Sequence, residues 1–402
     1  MSAVTLYQEE LLGRDLEEGD AGEHYFDCGT GPRGTRGLGA AKACKTPEAT
    51  AMDAHAGQAF TLYIRQAAAE ILSAPGRTLQ FGFDGKKAVV TLNMKVRNDE
   101  APPWSPLGPN GMGTFNVLAN VSKMGCPSFS LPAGPHVLGG ACPGSSSGMS
   151  VVGNLRDTTG KENIRRLSVM RDVPMDQWYA DAVCQHCYAA KSSYAYFSKQ
   201  LGQLAVFAWT KHALATGTFV QSMIDAIELS PWHRDDPSDV RHLAKHGYKR
   251  VFRLHDSGDF FDPAYVQAWR KIADHFMPGR GPGTPTIFWA PTRLWAAGRA
   301  REWLKVIGPA GDLRTNNMVV RPSGFHVNQH CPKPAPGESA GSTVHTLDEA
   351  MLKKQGVFDF VCPASRKEEK NSTCLEVPGP DGQMGCRACW VLPGLTISYH
   401  IH

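Results

Sequence analysis

The chain has 402 residues, with 42 basic and 38 acidic side chains and a formal net charge of +4. Apolar residues make up 42% and charged residues 20%, the balance of a globular chain and not of a disordered or fibrous one. At roughly 150 residues per domain, this length gives two or three domains or one large α/β barrel with additions. The small net charge excludes nucleic-acid binding driven by the whole field and leaves only local patches. Met1 to Asp20 is acidic and lacks the apolar stretch of a signal peptide. No run approaches the roughly 18 apolar residues of a transmembrane helix. The expectation is a cytoplasmic protein that makes no membrane contact.

In chain order, residues 21–45 are rich in glycine and carry Arg33, Arg36, Lys42 and Lys45. Gly29-Thr30-Gly31-Pro32-Arg33-Gly34 fits the spacing of a dinucleotide loop, but Pro32 and the further glycines suit an irregular basic loop instead. A helix is expected over Gln58–Ser73, then strands Thr78–Phe83 and Ala88–Val96 joined at Asp84-Gly85 as a hairpin. Residues 99–114 read as a Pro/Gly-rich connection. Short β-like runs at Thr114–Val121 and Ser128–Leu131 precede a helical stretch from Tyr188 to Leu229, broken near Gly217. The clearest periodicity follows. Arg250–His255 is a strand, Asp262-Pro263 supplies a cap and first-turn proline, and Val266, Trp269, Ile272, Ala273 and Phe276 mark one helical face. Thr284–Ala290, Leu294–Ile307 and Asn317–Arg321 continue the strand–helix–strand alternation, which implies parallel pairing with right-handed crossovers. In such folds chemistry sits at the carboxyl ends of the strands. From residue 326 onward no periodicity is visible, and the segment reads as a metal-ordered appendage.

The eleven cysteines, an odd number, exclude a scheme in which all pair within the chain, and in the cytoplasm clustered cysteines are metal ligands or catalytic thiols. Cys184-Gln185-His186-Cys187 and Cys386-Arg387-Ala388-Cys389 each let two thiolates face one metal or cluster from a tight turn. Cys126, Cys142, Cys331 and Cys362 each precede proline, which bends the chain at the ligand. Cys362, Cys374, Cys386 and Cys389 fit a four-cysteine site, either iron–sulfur or zinc. Binding of a structural metal is worth about 10–16 kcal/mol in small zinc sites, enough to order such a tail. Cys142, Cys184 and Cys187 offer three further thiolates, with Cys126, Cys331, a histidine or an exogenous group as the fourth ligand. A thiol oxidoreductase using Cys184 and Cys187 leaves too many cysteines unexplained.

His255, Asp256, Ser257 and Asp259 directly follow an apolar strand. Such a group can do acid–base work or bind a ribose, an amine or a metal; alternatively Asp and Ser shape a turn with Gly258. Thr292 and Arg293, and Arg321 and Ser323, occupy equivalent positions on the next two strands, where each alone reads as a solvated loop residue. Tyr188, Tyr194, Tyr196 and Phe197 form an aromatic group suited to packing or to base stacking.

Several segments together resemble a phage family, the mycobacteriophage gene product eighty-eight type. They are Phe129-Ser130-Leu131-Pro132-Ala133-Gly134, Cys142-Pro143-Gly144, Cys184-x-x-Cys187-Tyr188-Ala189, Phe252 to Asp259, and Cys386-x-x-Cys389-Trp390. The Cys-x-x-Cys-Tyr-Ala ending also looks like the last part of the cluster motif of radical S-adenosylmethionine enzymes. Cys142 lies 184 − 142 = 42 positions before Cys184, far from the compact spacing of those enzymes. The resemblance implies a TIM-barrel-like, partial or complete α/β core with one [4Fe-4S] cluster at its mouth and a second cluster in the tail. It also implies S-adenosylmethionine as a candidate cofactor and a place in the bacterial host cytoplasm.

The reading is thus an N-terminal α+β extension over 1–115, a TIM-barrel-like iron–sulfur core over 116–325 and a cysteine-rich metal-binding tail over 326–402. Expected catalytic residues are His255, Asp256, Asp259 and Arg293, with Ser257 and Tyr188 at the cofactor. The expected metal ligands are Cys142, Cys184, Cys187, Cys362, Cys374, Cys386 and Cys389. The function is reductive radical chemistry on an unknown substrate or, as the alternative, a non-enzymatic iron–sulfur or zinc protein that binds nucleic acid or a host protein.

Overall fold

The computed structural model describes residues 65, 68–69, 72–73, 77–93, 112–121, 124–134, 140–143, 145, 182–187, 189, 194, 196–233, 243–308, 312–366, 372–374 and 376–400. The Gly-rich basic loop with Arg33 and Arg36, Cys28, Cys44, the connection up to residue 111 and Tyr188 lie outside these residues.

Strands β1 (Thr78–Asp84) and β2 (Lys87–Asn93) form the expected antiparallel hairpin, and β3 (Met112–Asn116) adds to β2. The run from Thr114 to Val121 is divided: β4 (Leu118–Val121) leaves the first sheet and pairs antiparallel with β5 (Cys126–Phe129) in a second one. That second sheet continues with β6 (Arg250–Leu254), β7 (Thr286–Thr292) and β8 (Met318–Pro322), each parallel to the strand before it. Its order, β4-β5-β6-β7-β8, follows the chain without reversal. Among the described residues the sheet is open, and the closed barrel is not formed. What stands is a mixed α/β fold with several sheets.

Helix α1 (Phe197–Ala215) and helix α2 (Phe219–Leu229) separate at Gly217, whose φ of +74° suits a residue without Cβ. The helix begins at Phe197, later than the expected Tyr188. Helix α3 (Pro263–His275) starts as its sequence dictates, Asp262 accepting a hydrogen bond from the Ala264 N–H at 2.7 Å with proline in the first turn. Leu294–Ile307 is helical but made of 3₁₀ turns, interrupted at Ala297 and Gly298.

Alternation along the parallel strands gives the sheet two apolar faces. Phe252, Leu254, Phe288, Ala290, Met318 and Val320 face the helices, and Trp269 of α3 lies 5.6 Å from Phe129 and 5.8 Å from Phe252 between ring centres. The first sheet shares this core, Phe81 stacking on Trp209 of α1 at 4.8 Å. Val251, Ile287, Trp289 and Val319 face the other way, against the C-terminal segment with Trp390, Cys386 and Cys389. Helices thus cover one face and the tail covers the other.

The tail is more regular than its composition suggests. Strands β9 (Ser342–His345), β10 (Phe360–Val361) and β11 (Ile397–His400) form a parallel sheet in the order β10-β11-β9, with short helices α4 (Glu349–Lys354) and α5 (Ala388–Val391) between them. Arg321, expected as a solvated position, is completely buried. Its guanidinium donates to the carbonyls of Cys389, Ala340, Leu395, Ala388 and Leu392 at 2.6–3.1 Å, fastening the tail to β8.

Candidate functional site

The segments following β5, β6, β7 and β8 meet at one edge of the sheet. The Leu131 N–H donates to the Ser257 carbonyl at 2.9 Å, and Ser257 Oγ donates to the Leu131 carbonyl at 2.7 Å. Between them Gly258, at φ +85°, sits so close to Leu131 that a Cβ would lie 2.7 Å from the leucine Cβ; the close approach requires glycine. The Asp259 N–H donates to the Ala141 carbonyl at 3.2 Å, which brings the Cys142 turn against this loop. Ala182 and His326 form a bridge, and the Val183 N–H donates to the Phe325 carbonyl at 2.8 Å, which docks the Cys184–Cys187 turn on the segment after β8.

These anchors bring Cys142, Cys184 and Cys187 together. The thiol of Cys142 is within electrostatic reach of Cys187, Cys184 and Asp259; burial first, then those negative neighbours, push its pKa well above the ordinary range. Arg293 contacts the Cys184 sulfur through Nη1. Its backbone N–H donates to Asp259 Oδ2 at 2.7 Å, and Thr292 Oγ1 donates to Asp259 Oδ1 at 2.8 Å. Burial raises the Asp259 pKa to about 6 despite these donors. On the other side stands Arg65, from the segment before β1. It is buried, its Nε donates to Gln200 Oε1 at 2.9 Å, and burial lowers its pKa to about 10 while Cys142 and Cys187 act in the opposite sense.

The tail cysteines form a second group. Cys362, Cys374, Cys386 and Cys389 lie within electrostatic reach of one another, and burial followed by mutual repulsion raises Cys362 to about 12. Cys386 is raised likewise to about 12. Burial raises the Cys389 pKa, while Arg321, the Tyr399 hydroxyl 3.2 Å from its sulfur and Arg253 act in the opposite sense. Cys126 packs in the apolar core on this same face of the sheet, and Cys331 abuts Gly341 near Arg321. Both cysteines among the candidates for a fourth ligand to the first group therefore sit with the second.

The expected polar loop divides in two. Asp259 and Arg293 join the first cysteine group. His255 turns into the core at φ +59°, with Nε2 3.1 Å from Tyr265 Oη and its ring edge-on to Phe260, and burial, then the charge of Arg253, lowers its pKa to about 3. Ser257 acts as a clamp, holding Leu131 and accepting from Gln203 Nε2 at 2.7 Å. Asp256 pairs with Arg253 at 2.9 Å and accepts from Tyr194 Oη at 2.7 Å. The sequence reading missed Arg65, Gln200, Gln203 and Tyr399, none of which stands in a local motif, and gave no role to Arg253 within the Phe252–Asp259 segment.

Fold and site define a mixed α/β protein that gathers two cysteine groups, one at the carboxyl edge of its parallel strands and one under its tail. The family model described as "Gene product 88" matches residues 108–392, and the chain belongs to that family. No curated protein matches the chain, and no solved structure matches it. Among the described residues no helix is long and apolar enough to cross a membrane.

Proposed function

We propose that the chain is an iron–sulfur protein with two [4Fe-4S] sites, one open to a ligand and one closed. The observation that carries this reading is the convergence of Cys142 with Cys184 and Cys187, distant in sequence, beside Asp259 and Arg293 at the carboxyl edge of the strands. Three thiolates leave one iron of such a cluster without a protein ligand, whereas Cys362, Cys374, Cys386 and Cys389 complete a set of four.

A four-iron cluster supplies one-electron transfer and, at its open iron, a coordination position. Around it the chain provides Arg293 as a donor to the Cys184 sulfur, Arg65 as a buried positive charge near Cys142 and Cys187, and Asp259 as a carboxyl that titrates near neutrality. Such a site can orient a small polar or zwitterionic ligand through carboxylate and guanidinium groups. S-adenosylmethionine is the candidate carried by the Cys-x-x-Cys-Tyr-Ala motif, and reductive radical chemistry is the activity that pairing would serve. The sequential strand order, with α1, α2 and α3 on one face, is what a barrel opened along one side would give.

Electron paramagnetic resonance of anaerobically purified, reduced protein tests the open site. Two signals are expected, of which one shifts on addition of S-adenosylmethionine or cyanide. Two signals indifferent to both additions would close the site and remove the enzymatic reading. Replacing Arg293 by methionine removes a donor to one cluster sulfur and should lower the potential of the ligand-sensitive cluster alone in a redox titration.

A further inference from the structure

We infer that His345, Glu349 and His400 form a mononuclear site for a divalent transition metal, zinc being the ion whose chemistry fits best, separate from both cysteine groups. His345 ends β9 and His400 ends β11, and the two are register partners in the parallel ladder, so their rings lie side by side with centres 4.1 Å apart. Glu349 opens α4 directly opposite. Its Oε1 is 2.9 Å from His400 Nε2 and 3.9 Å from His345 Nε2, and all three donor atoms lie within 4.8 Å of one another. Bonds of about 2.0–2.2 Å in a tetrahedron separate their ligand atoms by roughly 3.3–3.6 Å. The two separations to Glu349 bracket that range and the third lies within 4.8 Å, so an ion fits with side-chain adjustment.

A second observation points to a cation. The His345 side chain is wholly buried, and its Nε2 has no hydrogen-bond partner in the structure while it faces the carboxylate across 3.9 Å. Its Nδ1 is 2.6 Å from Ser398 Oγ. With Nδ1–H donated to that hydroxyl, Nε2 presents a lone pair toward a carboxylate oxygen. Two acceptors face each other there, and a metal ion between them satisfies both. The surroundings hold the ligands as outer partners do in zinc sites. Ser398 fixes the His345 ring, Arg366 forks onto Glu349 with Nη2 donating to Oε2 at 2.7 Å and Nε to Oε1 at 3.2 Å, and the His400 N–H donates to Ser365 Oγ at 3.0 Å. Glu349 and His400 are each about a third exposed, so solvent reaches the fourth position. Two imidazoles and one carboxylate with an open position form the ligand set of hydrolytic zinc centres and of mononuclear iron sites. Arg366 also places a positive charge beside the site, which weakens the affinity for any cation.

The test uses the full chain with its iron and sulfide content left intact, stripped of loosely held metal by a chelator and dialysed against zinc chloride under anaerobic conditions. One equivalent of zinc is expected, with nitrogen and oxygen neighbours at about 2.0–2.2 Å in X-ray absorption. His345→Gln and His400→Gln should each lower zinc affinity at least tenfold without changing iron or sulfide content. Arg366→Met keeps all three ligands and removes the competing charge, so it should bind zinc several-fold more tightly. Equal zinc binding in wild type and all three variants, or a neighbour shell made of sulfur at about 2.3 Å, overturns the site. Because iron and sulfide are read in the same samples, failure here is distinguishable from failure of the cluster reading.

Discussion

His255 and Asp259 stand four positions apart on one loop and show how burial, not residue type, decides what a polar side chain can do. Asp259 is buried among donors beside the cysteines and titrates near pH 6. His255 is buried among aromatic rings, where burial and the nearby Arg253 lower its pKa to about 3. At neutral pH it is uncharged and holds no proton that a substrate could take easily. An unfolded histidine titrates near 6.5. Between about pH 6.5 and 3 the unfolded chain therefore binds a proton that the native state refuses. Stability is complete above that window and falls as the pH drops through it, by up to about 1.4 kcal/mol per pH unit. Asparagine tolerates a positive φ, so His255→Asn should fold and should flatten this acid limb in urea midpoints measured from pH 7 to 4. Parallel limbs in the two proteins would show that His255 is not the titrating group. Both C-x-x-C pairs and the loop were legible because their spacing is local. Arg65, Tyr399 and the His345–Glu349–His400 group were not, since contacts between residues tens of positions apart leave no pattern in a single sequence.

At the scale of elements, legibility followed length and period. Helix α3 was readable from its cap, its first-turn proline and its apolar stripe, and the hairpin β1–β2 from its alternation around Asp84-Gly85. Strands β9, β10 and β11 have four, two and four residues, too few for a period to emerge among prolines and glycines. The division of Thr114–Val121 between two sheets was likewise invisible, because one continuous β-like run carries no mark of a change in partner. The tail is held less by its own pattern than by Arg321, whose five carbonyl partners come from 340, 388, 389, 392 and 395. Hydrogen bonds to a buried charge are worth more than neutral ones, and carbonyls left without donors add a desolvation cost. Arg321→Met should therefore destabilise the chain by at least about 3 kcal/mol and make the segment after residue 326 the first site of limited proteolysis. Cleavage at wild-type rates would mean that the tail is anchored elsewhere.

In the whole molecule, one five-stranded sheet separates two environments. Helices and the first sheet pack on one face, the cysteine tail packs on the other, and the first cysteine group stands at the carboxyl edge between them. The α/β core was foreseeable from the strand–helix alternation of 250–321. No closed barrel is found among the described residues; the alternation specifies parallel neighbours but not closure. The placement of Cys126 and Cys331 on the tail side leaves the first group with three cysteines among the described residues. This matters most for the proposed function, since the fourth position is where a ligand would bind. The most direct test counts iron, acid-labile sulfide and zinc in anaerobically purified wild type, in Cys184→Ser/Cys187→Ser and in Cys386→Ser/Cys389→Ser. The account predicts iron and sulfide in equal amounts in the wild type and about half of each in either double variant. Colourless protein without sulfide, its cysteines holding zinc, would contradict it.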